Sequence, residues 1–162
     1  MQKINRIIGD LTSFIKKTET NKEPVKLKEM IEEVIRLHIE NGRLDALCEV
    51  ESSDERTVLT QDRQSLTEMI DYCLRYMTAS GGKIHHISIT RGPAHSTLLD
   101  FEFGDGEWNG FHSDSVIDYL LQSDPIESRL SLAVALRYAE ALGCTVSIAQ
   151  VQQNRKKMNI HL

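Results

Sequence analysis

Several features that would indicate a particular class of protein are missing from this 162-residue sequence. It has no apolar run of about 18 residues that could span a bilayer, and no signal-peptide pattern at its start. The formal net charge of −5 gives no general attraction to nucleic acid or to anionic membranes. Three cysteines, Cys48, Cys73 and Cys144, are odd in number and far apart. We therefore expect reduced thiols in a cytoplasmic protein, without nucleic-acid partners or a membrane segment.

Signatures of metal sites and hydrolases are also scarce. Neighbouring residues of a strand point to opposite faces, so His85 and His86 do not predict a shared metal ion. The later histidines have no partner at ligand spacing. Ser128 and Ser131 lack the Gly-x-Ser-x-Gly elbow of serine hydrolases. The basic run at 155–157 is interpreted as a solvated hairpin tip.

The opening stretch, Met1–Lys17, has an apolar stripe at helical spacing that includes Ile7, Leu11 and Phe14. A helix of this length with a single apolar stripe is unlikely to be stable without a partner surface. Packing on its own domain and packing in a two-chain helical bundle are both open. The polar stretch 18–23 that follows is interpreted as a hinge ending at Pro24.

Three further segments favour helices. The stripe recurs over Leu27–His38 and Ser65–Thr78, and the pair Asn41–Gly42 is a stop signal for the first of them. The third helix begins near Glu127, runs through Leu130 to Ala141 with Arg137 on its stripe, and ends at Gly143. Short strands are expected at 43–52, 57–60, 83–90, 97–103, 145–148 and 158–162, with a short helix at 115–122.

The helices and pairs of strands alternate along the chain. This order predicts an α+β fold, in which a mostly antiparallel sheet carries the helices on one face. Each internal helix has one apolar stripe, as a layer packed on one side of a sheet requires. The expected architecture is a two-layer α/β sandwich.

Short motifs stand in a fixed order along the chain. They are Leu11-Thr12-Ser13-Phe14-Ile15, Glu23-Pro24-Val25-Lys26-Leu27, Thr60 to Leu66, Ile70 to Tyr76, Gly81-Gly82, Leu132-Ala133 and Gly143-Cys144-Thr145-Val146. Together these motifs resemble the region from the dimerisation helix to the end of sensor histidine kinases. The resemblance implies the Bergerat-type (GHKL) ATP-binding sandwich. It also implies that residues 1–22 are the end of a dimerisation helix with its hinge, and that residues 23–162 are the ATP-binding domain.

A tyrosine stands where the resemblance implies a magnesium ligand. In the family, an asparagine on the first ATP-site helix holds the magnesium that bridges the triphosphate, and the matching residue here is Tyr72. A bulky phenol is a poor ligand for octahedral Mg²⁺, which prefers small, hard oxygen donors and water. Glu68, one turn earlier, either supports water or metal chemistry or is a solvated side chain. Arg75 matches a basic residue near the phosphates, although an exposed helix charge is the simpler interpretation.

The adenine and phosphate loops also depart from the family pattern. The family writes Asp-x-Gly-x-Gly after a strand, whereas residues 104–110 read Gly-Asp-Gly-Glu-Trp-Asn-Gly. Either Asp105 takes the aspartate position and both glycines are lost, or Gly106 is the first glycine and the aspartate is lost. The two phosphate-loop glycines are replaced by Arg129 and Ser131. A Cβ at such positions obstructs the close approach of the backbone to a nucleotide.

Three altered parts of one ATP site predict a domain that has lost nucleotide binding, so we expect no cofactor. The expected role is protein interaction in a two-component phosphorelay, with a response-regulator receiver domain as partner. The expected assembly is a homodimer through the opening helix, and Trp108 either anchors a partner or packs over the emptied pocket. The alternative is a divergent histidine kinase catalytic domain that still binds ATP and Mg²⁺. The opening helix has no histidine, so a phosphoacceptor, if the protein has one, would precede it.

Overall fold

The computed structural model describes residues 21–44, 49–54, 58–79, 83–92, 96–104, 126–152 and 155–162. The helices in these ranges are α1 (Leu27–Glu40), α2 (Arg63–Ala79) and α3 (Ile126–Leu142). The strands are β1 (Lys22–Lys26), β2 (Val50–Ser52), β3 (Val58–Asp62), β4 (Lys83–Arg91), β5 (Thr97–Gly104), β6 (Thr145–Gln152) and β7 (Arg155–His161). The predicted opening helix and the predicted helix at 115–122 lie outside the described residues.

A five-stranded sheet in the order β2-β4-β5-β7-β6 forms one layer of the fold. The pair β2–β4 is parallel and the other neighbouring strands are antiparallel. The helices lie on one face of this sheet, and their apolar stripes cover its inward row of side chains. The predicted fold class, an α+β sandwich with a mostly antiparallel sheet, is confirmed.

A second, two-stranded sheet was not predicted. Strand β1 pairs antiparallel with β3, so that Pro24 lies opposite Thr60. The sequence pattern assigned residues 22 and 23 to a hinge, and for these two residues that assignment is wrong. Pro24 removes a backbone donor, which is tolerated here because both strands of a two-stranded sheet are edge strands. The domain boundary after residue 22 stays a prediction.

The core forms where the helix stripes meet the inward side chains of the sheet. Phe101 on the central strand β5 is fully buried, and its neighbours in the registers of β4 and β7 are Ile87 and Met158. The α1 stripe is buried from Leu27 to His38, as predicted. Arg137 does not belong to the α3 stripe; it is exposed and pairs with Glu140 at 3.1 Å. The buried face of α3 includes several alanines, and these small side chains let α3 pack closely on α2.

The start of α2 is fixed by a capping carboxylate. Asp62 precedes the helix, and its Oδ1 accepts a hydrogen bond from the Ser65 backbone N–H at 2.8 Å. Its Oδ2 accepts a second bond, from the Asn21 N–H at 2.6 Å. Burial acts to raise the pKa of Asp62, but these hydrogen bonds outweigh it and hold the pKa below its ordinary value of 3.8. The cap therefore satisfies donors that the first helical turn leaves open.

Glycines end α1 and α3 in the same way. Gly42 and Gly143 have φ of +70° and +71°, the left-handed conformation that side chains disfavour. The Gly143 N–H donates to the Glu140 carbonyl and the Cys144 N–H donates to the Ala139 carbonyl, which is the Schellman pattern. Both predicted helix stops are confirmed.

One local prediction on the sheet is wrong, and the strand pattern used for a second is interrupted. Lys156 and Lys157 lie in β7 and are not part of a solvated tip. Lys156 is 7% exposed, and its ammonium lies 5.9 Å from the centre of the Phe103 ring. On β4, a bulge between Ile84 and His86 breaks the strict alternation of faces. The argument that placed the histidine pair on opposite faces therefore does not apply. Within the described ranges, no three His, Cys, Asp or Glu residues are grouped as metal ligands.

None of the helices in the described ranges is long and apolar enough to cross a bilayer.

Candidate functional site

The candidate site lies where α2 packs against α3. Tyr72 on α2 and Tyr138 on α3 stack with ring centres 6.4 Å apart and ring planes 20° apart. Both are buried, with 5% and 9% of their surface exposed. Offset aromatic pairs of this kind stabilise a packed interface beyond the area they bury. The Tyr72 ring is therefore part of the contact between the two helices.

An arginine covers the other side of this tyrosine. The Arg75 guanidinium carbon lies 4.7 Å from the centre of the Tyr72 ring, in cation–π geometry. Its Nε lies 2.9 Å from Asp71 Oδ2, one helical turn earlier. The Arg75 side chain is 21% exposed, so the simpler interpretation of it as an exposed helix charge is wrong. Asp71 fixes the arginine over the ring.

The same aspartate connects α2 to α1. His38 Nε2 lies 2.6 Å from Asp71 Oδ1, and the histidine side chain is 1% exposed. Burial acts to raise the pKa of Asp71, but the His38 hydrogen bond and the Arg75 charge outweigh it and lower the pKa below 3.8. A chain of contacts thus runs from His38 on α1, through Asp71, Arg75 and Tyr72, to Tyr138 on α3.

Glu68 approaches this chain from the preceding turn of α2. The pKa of Tyr138 is raised above its ordinary value of 10.0, first by burial and then by the negative charge of Glu68. Glu68 is half-buried, so it is not the fully solvated side chain that was one of its two interpretations. It also lines a groove of about 400 Å³ at the start of α2, together with Asn21, Glu23, Asp62, Arg63, Gln64 and Thr67.

The two positions where the resemblance expects phosphate-loop glycines lie in the first turns of α3. Ser131 is fully buried, and its hydroxyl has no hydrogen-bond partner. Arg129 is half-buried. Each of these two positions therefore carries a side chain that is at least partly buried. A buried hydroxyl without a partner is uncommon and costs stability.

The thiols of this region are poor nucleophiles. Burial, followed by the charge of Asp71, raises the pKa of Cys73 to about 12. Burial raises the pKa of Cys144 to about 11. Since the thiolate is the reactive form, both residues are inert near neutral pH. Both are free thiols, as predicted, whereas Cys48 lies outside the described residues.

The structure thus brings Glu68, Tyr72 and Arg75 together around one aromatic contact. Other predicted site residues lie outside the described residues, namely Asp105, Gly106, Trp108, Ile7, Leu11 and Phe14.

Sequence reasoning missed His38, Asp71 and Tyr138 as members of the site. A polar residue on the α1 stripe and an acid one turn before Arg75 were the available signals. Tyr138 gave no signal of its own.

Solved structures match the fold across nearly the whole chain. The Acinetobacter baumannii histidine kinase AdeS aligns at a TM-score of 0.71 and 18% identity, over 99% of this chain and 78% of that one. The nucleotide-free catalytic domain of the histidine kinase ThkA aligns at 0.68 and 15% identity, over 88% and 96% of the two chains. Full-length ShkA in complex with AMPPNP aligns at 0.71 and 14% identity, over 98% of this chain and 35% of ShkA.

No protein-family description matches the sequence, and no curated protein matches it. Identities below a fifth establish the fold alone. The chain therefore has the GHKL-type fold of histidine kinase catalytic domains, as the motif resemblance predicted.

Proposed function

We propose that this chain is a histidine-kinase-like domain that does not use ATP and acts as a protein-interaction module of a two-component phosphorelay. In this role it supports phosphotransfer to a response regulator. The observation that carries the proposal is the burial of Tyr72 between Tyr138 and Arg75. The motif resemblance places this tyrosine at the magnesium-binding asparagine of the kinases.

Tyr72 cannot simply replace an asparagine as a magnesium ligand at this position. Mg²⁺ demands a near-ideal octahedron of oxygen ligands at roughly 2.0–2.1 Å. A phenol at this position would have to leave the Tyr138 stack and the Arg75 contact before its oxygen could reach a metal. The stack holds the ring at 5% exposure, so that movement would expose aromatic surface to water. The burial of Tyr72 thus supports a packing role at the position that the motif resemblance matches to the magnesium-binding asparagine.

The start of α3 supports the same conclusion. Ser131 is fully buried where the resemblance expects glycine, so its Cβ and hydroxyl occupy space inside the protein. Glycine at such a position lets backbone N–H groups approach a phosphate closely. The side chain of Arg129 is itself half-buried in that first turn. By the motif resemblance, the two altered positions on α3 and the one on α2 belong to one ATP site.

The partner proposal follows from the fold and from the altered site together. A kinase-like domain that binds no nucleotide retains its surfaces, and a receiver domain is the natural partner in a phosphorelay. The domain is proposed to act in the cytoplasm as a homodimer joined through the opening helix. Trp108 and the apolar residues of that helix are the proposed contact residues, and all of them lie outside the described residues.

A nucleotide titration tests the central claim. Isothermal titration calorimetry with ATP and excess Mg²⁺ should show no saturable binding with a Kd below about 1 mM. A Kd of that size corresponds to a binding free energy of about −4 kcal/mol. ShkA, which is described in complex with AMPPNP, is the positive control. Saturable binding below that limit would sink the proposal and favour the alternative, a divergent kinase domain that still binds ATP and Mg²⁺.

A second experiment addresses the partner. Purified receiver domains are titrated into the full chain by biolayer interferometry, and at least one should bind reversibly. The affinity should be the same with and without about 1 mM ATP if nucleotide plays no part. An interaction that required ATP, or none with any receiver domain tested, would contradict the proposed role.

A further inference from the structure

The outer edge of β6 is an unprotected edge of the five-stranded sheet. Among the described strands, β6 pairs with β7 on one side and has no neighbour on the other. Its eight residues, Thr145–Gln152, contain no charged residue and no proline. Edge strands present open N–H and C=O groups, and proteins usually protect them with charge, proline or short length. Strand β6 lacks these three devices.

Two of the other described edges are protected. Strand β1 carries Lys22, Glu23, Pro24 and Lys26 within five residues. Strand β2, at the opposite edge of the large sheet, is only three residues long and contains Glu51. On β6 the only protective device is a bulge between Gln150 and Gln152. The regular stretch Thr145–Gln150 is therefore open to a further strand.

The last twenty residues, which include β6 and β7, contain basic side chains and no acidic ones. All Asp and Glu residues precede position 143, whereas residues 143–162 contain Arg155, Lys156 and Lys157. In the register of β6 with β7, Ala149 lies beside Lys157 and Gln152 beside Arg155. Arg155 is exposed and Lys157 is half-buried, whereas Lys156 faces the core. A basic strand thus lies directly behind an uncharged one.

The side chains on the outward face of β6 are small. Thr145, Ser147 and Ala149 share the face of His161, Asn159 and Lys157 on β7. A small residue at position 149 leaves room for a long basic side chain to lean over it toward a strand paired with β6. Lys157 is also 3.7 Å from Asp100 Oδ2, so Arg155 is the more available cation. The inward residue Val146 is buried, which fixes β6 on the sheet.

We propose that the outer edge of β6 binds an extended acidic segment of a partner polypeptide as an additional strand. Backbone hydrogen bonds to Thr145–Gln150 supply the pairing, and Arg155 and Lys157 select carboxylate side chains on the incoming strand. Charge favours this occupant over a second copy of the chain, because two copies would bring two basic hairpins together. The inference does not depend on whether the domain binds ATP.

The probe is a fluorescein-labelled eight-residue peptide in which glutamate and valine alternate, measured by fluorescence anisotropy with the full chain. We expect saturable binding that weakens as salt is raised from 50 to about 300 mM, because the ion pairs are exposed. A lysine–valine peptide should not bind. A glutamate–valine peptide methylated on alternate backbone nitrogens should not bind either, because it has the charge but cannot pair as a strand.

Variants locate the site. Ala149→Glu puts a carboxylate beside the incoming acidic strand, and Arg155→Glu reverses the available cation; each should weaken binding at least about fivefold. Arg36→Glu makes the same charge change on α1 and should alter the Kd by less than about twofold. Circular dichroism spectra of all three should match that of the wild type.

Several outcomes overturn the proposal. These are no binding of the glutamate–valine peptide at 1 mM (about −4 kcal/mol), equal binding of the N-methylated peptide, or equal weakening by Arg36→Glu. Analytical ultracentrifugation of the chain without peptide tests the other possible occupant, a second copy of this chain. Self-association that Ala149→Glu abolishes, with no peptide binding, would assign the edge to a second copy of this chain instead.

Discussion

His38 Nε2 lies 2.6 Å from Asp71 Oδ1, and this contact joins α1 to α2 beneath the surface. His38 is 1% exposed and its other ring nitrogen, Nδ1, has no hydrogen-bond partner. Because a carboxylate only accepts hydrogen bonds, Nε2 of His38 carries the ring proton and donates a hydrogen bond to Asp71 Oδ1. The aspartate in turn holds Arg75 over the Tyr72 ring. One carboxylate thus organises the helix layer around the candidate site.

Replacing this carboxylate should destabilise the domain. Asp71→Ala leaves His38 buried without a partner and releases Arg75, which together should lower the free energy of unfolding by about 2 kcal/mol. Urea denaturation followed by circular dichroism measures the loss. Glu33→Ala is the matched control, because its 3.4 Å pair with Arg63 is half-exposed on both sides and should be worth less than about 0.5 kcal/mol. Equal losses for the two variants would show that the His38 contact contributes nothing.

The same contact sets a pH dependence. Asp71 has a folded-state pKa below 3.8, so it stabilises the fold fully above its unfolded pKa and loses that contribution as pH falls through the folded value. The stability difference between wild type and Asp71→Ala should therefore shrink as pH falls below about pH 4, where Asp71 becomes protonated. Urea denaturation at a series of pH values tests this. A difference that stays the same below about pH 4 would contradict it.

Asp62 loses its contribution over the same acid range, since its pKa is also lowered. This background is common to wild type and Asp71→Ala, and it cancels in their difference. The comparison therefore isolates Asp71 even though the whole domain becomes less stable in acid.

Tyr72→Asn tests whether the residue type that the motif resemblance implies for a magnesium ligand allows nucleotide binding. The variant removes a buried ring from the Tyr138 stack and should lose about 3 kcal/mol of stability. Calorimetry with ATP and Mg²⁺ should still show no saturable binding, because Arg129 and Ser131 are unchanged. Tyr72→Phe keeps the ring and should remain within about 1 kcal/mol of wild type. Recovery of ATP binding in the asparagine variant would mean that Tyr72 alone blocks the nucleotide.

The helices and their ends could be predicted because the signals are local. An apolar stripe predicted the buried face of α1. Gly42 and Gly143 predicted the ends of α1 and α3, because each of these ends requires a residue in the left-handed conformation. Strand β1 could not be predicted, because a segment with Pro24 and three charged residues has no strand pattern. It forms because β3 is available to pair with it, and that information is not local.

The same distinction between local and non-local information applies to the candidate site. Tyr72, Arg129 and Ser131 were found by comparing motifs, which report the residue type at a position. The partners of Tyr72 were not found, because Tyr138 is 66 positions away and meets it only when α2 packs on α3. The burial of Arg75 was missed for a similar reason. Its spacing to Asp71 predicts an ion pair on any helix, but only the packed structure shows that the pair is covered.

Ser131, which the motif resemblance matches to a phosphate-loop glycine, offers a test that needs no nucleotide. Its hydroxyl is fully buried without a hydrogen-bond partner, so Ser131→Ala should raise the free energy of unfolding by about 0.5–1 kcal/mol. Ser131→Gly restores the residue type that the kinase motif has. It should lower stability by about 1 kcal/mol relative to the alanine variant, because glycine costs backbone entropy in a helix.

Ser65 is the matched control for this pair of variants. It is also a buried helical serine, but its hydroxyl bonds to Asp62 and contributes to the lowered pKa of that carboxyl. Ser65→Ala should therefore destabilise the domain by about 1 kcal/mol, opposite in sign to Ser131→Ala. Urea denaturation of the three variants beside wild type decides the matter. A loss of stability in Ser131→Ala as large as that in Ser65→Ala would show that the Ser131 hydroxyl is satisfied in solution.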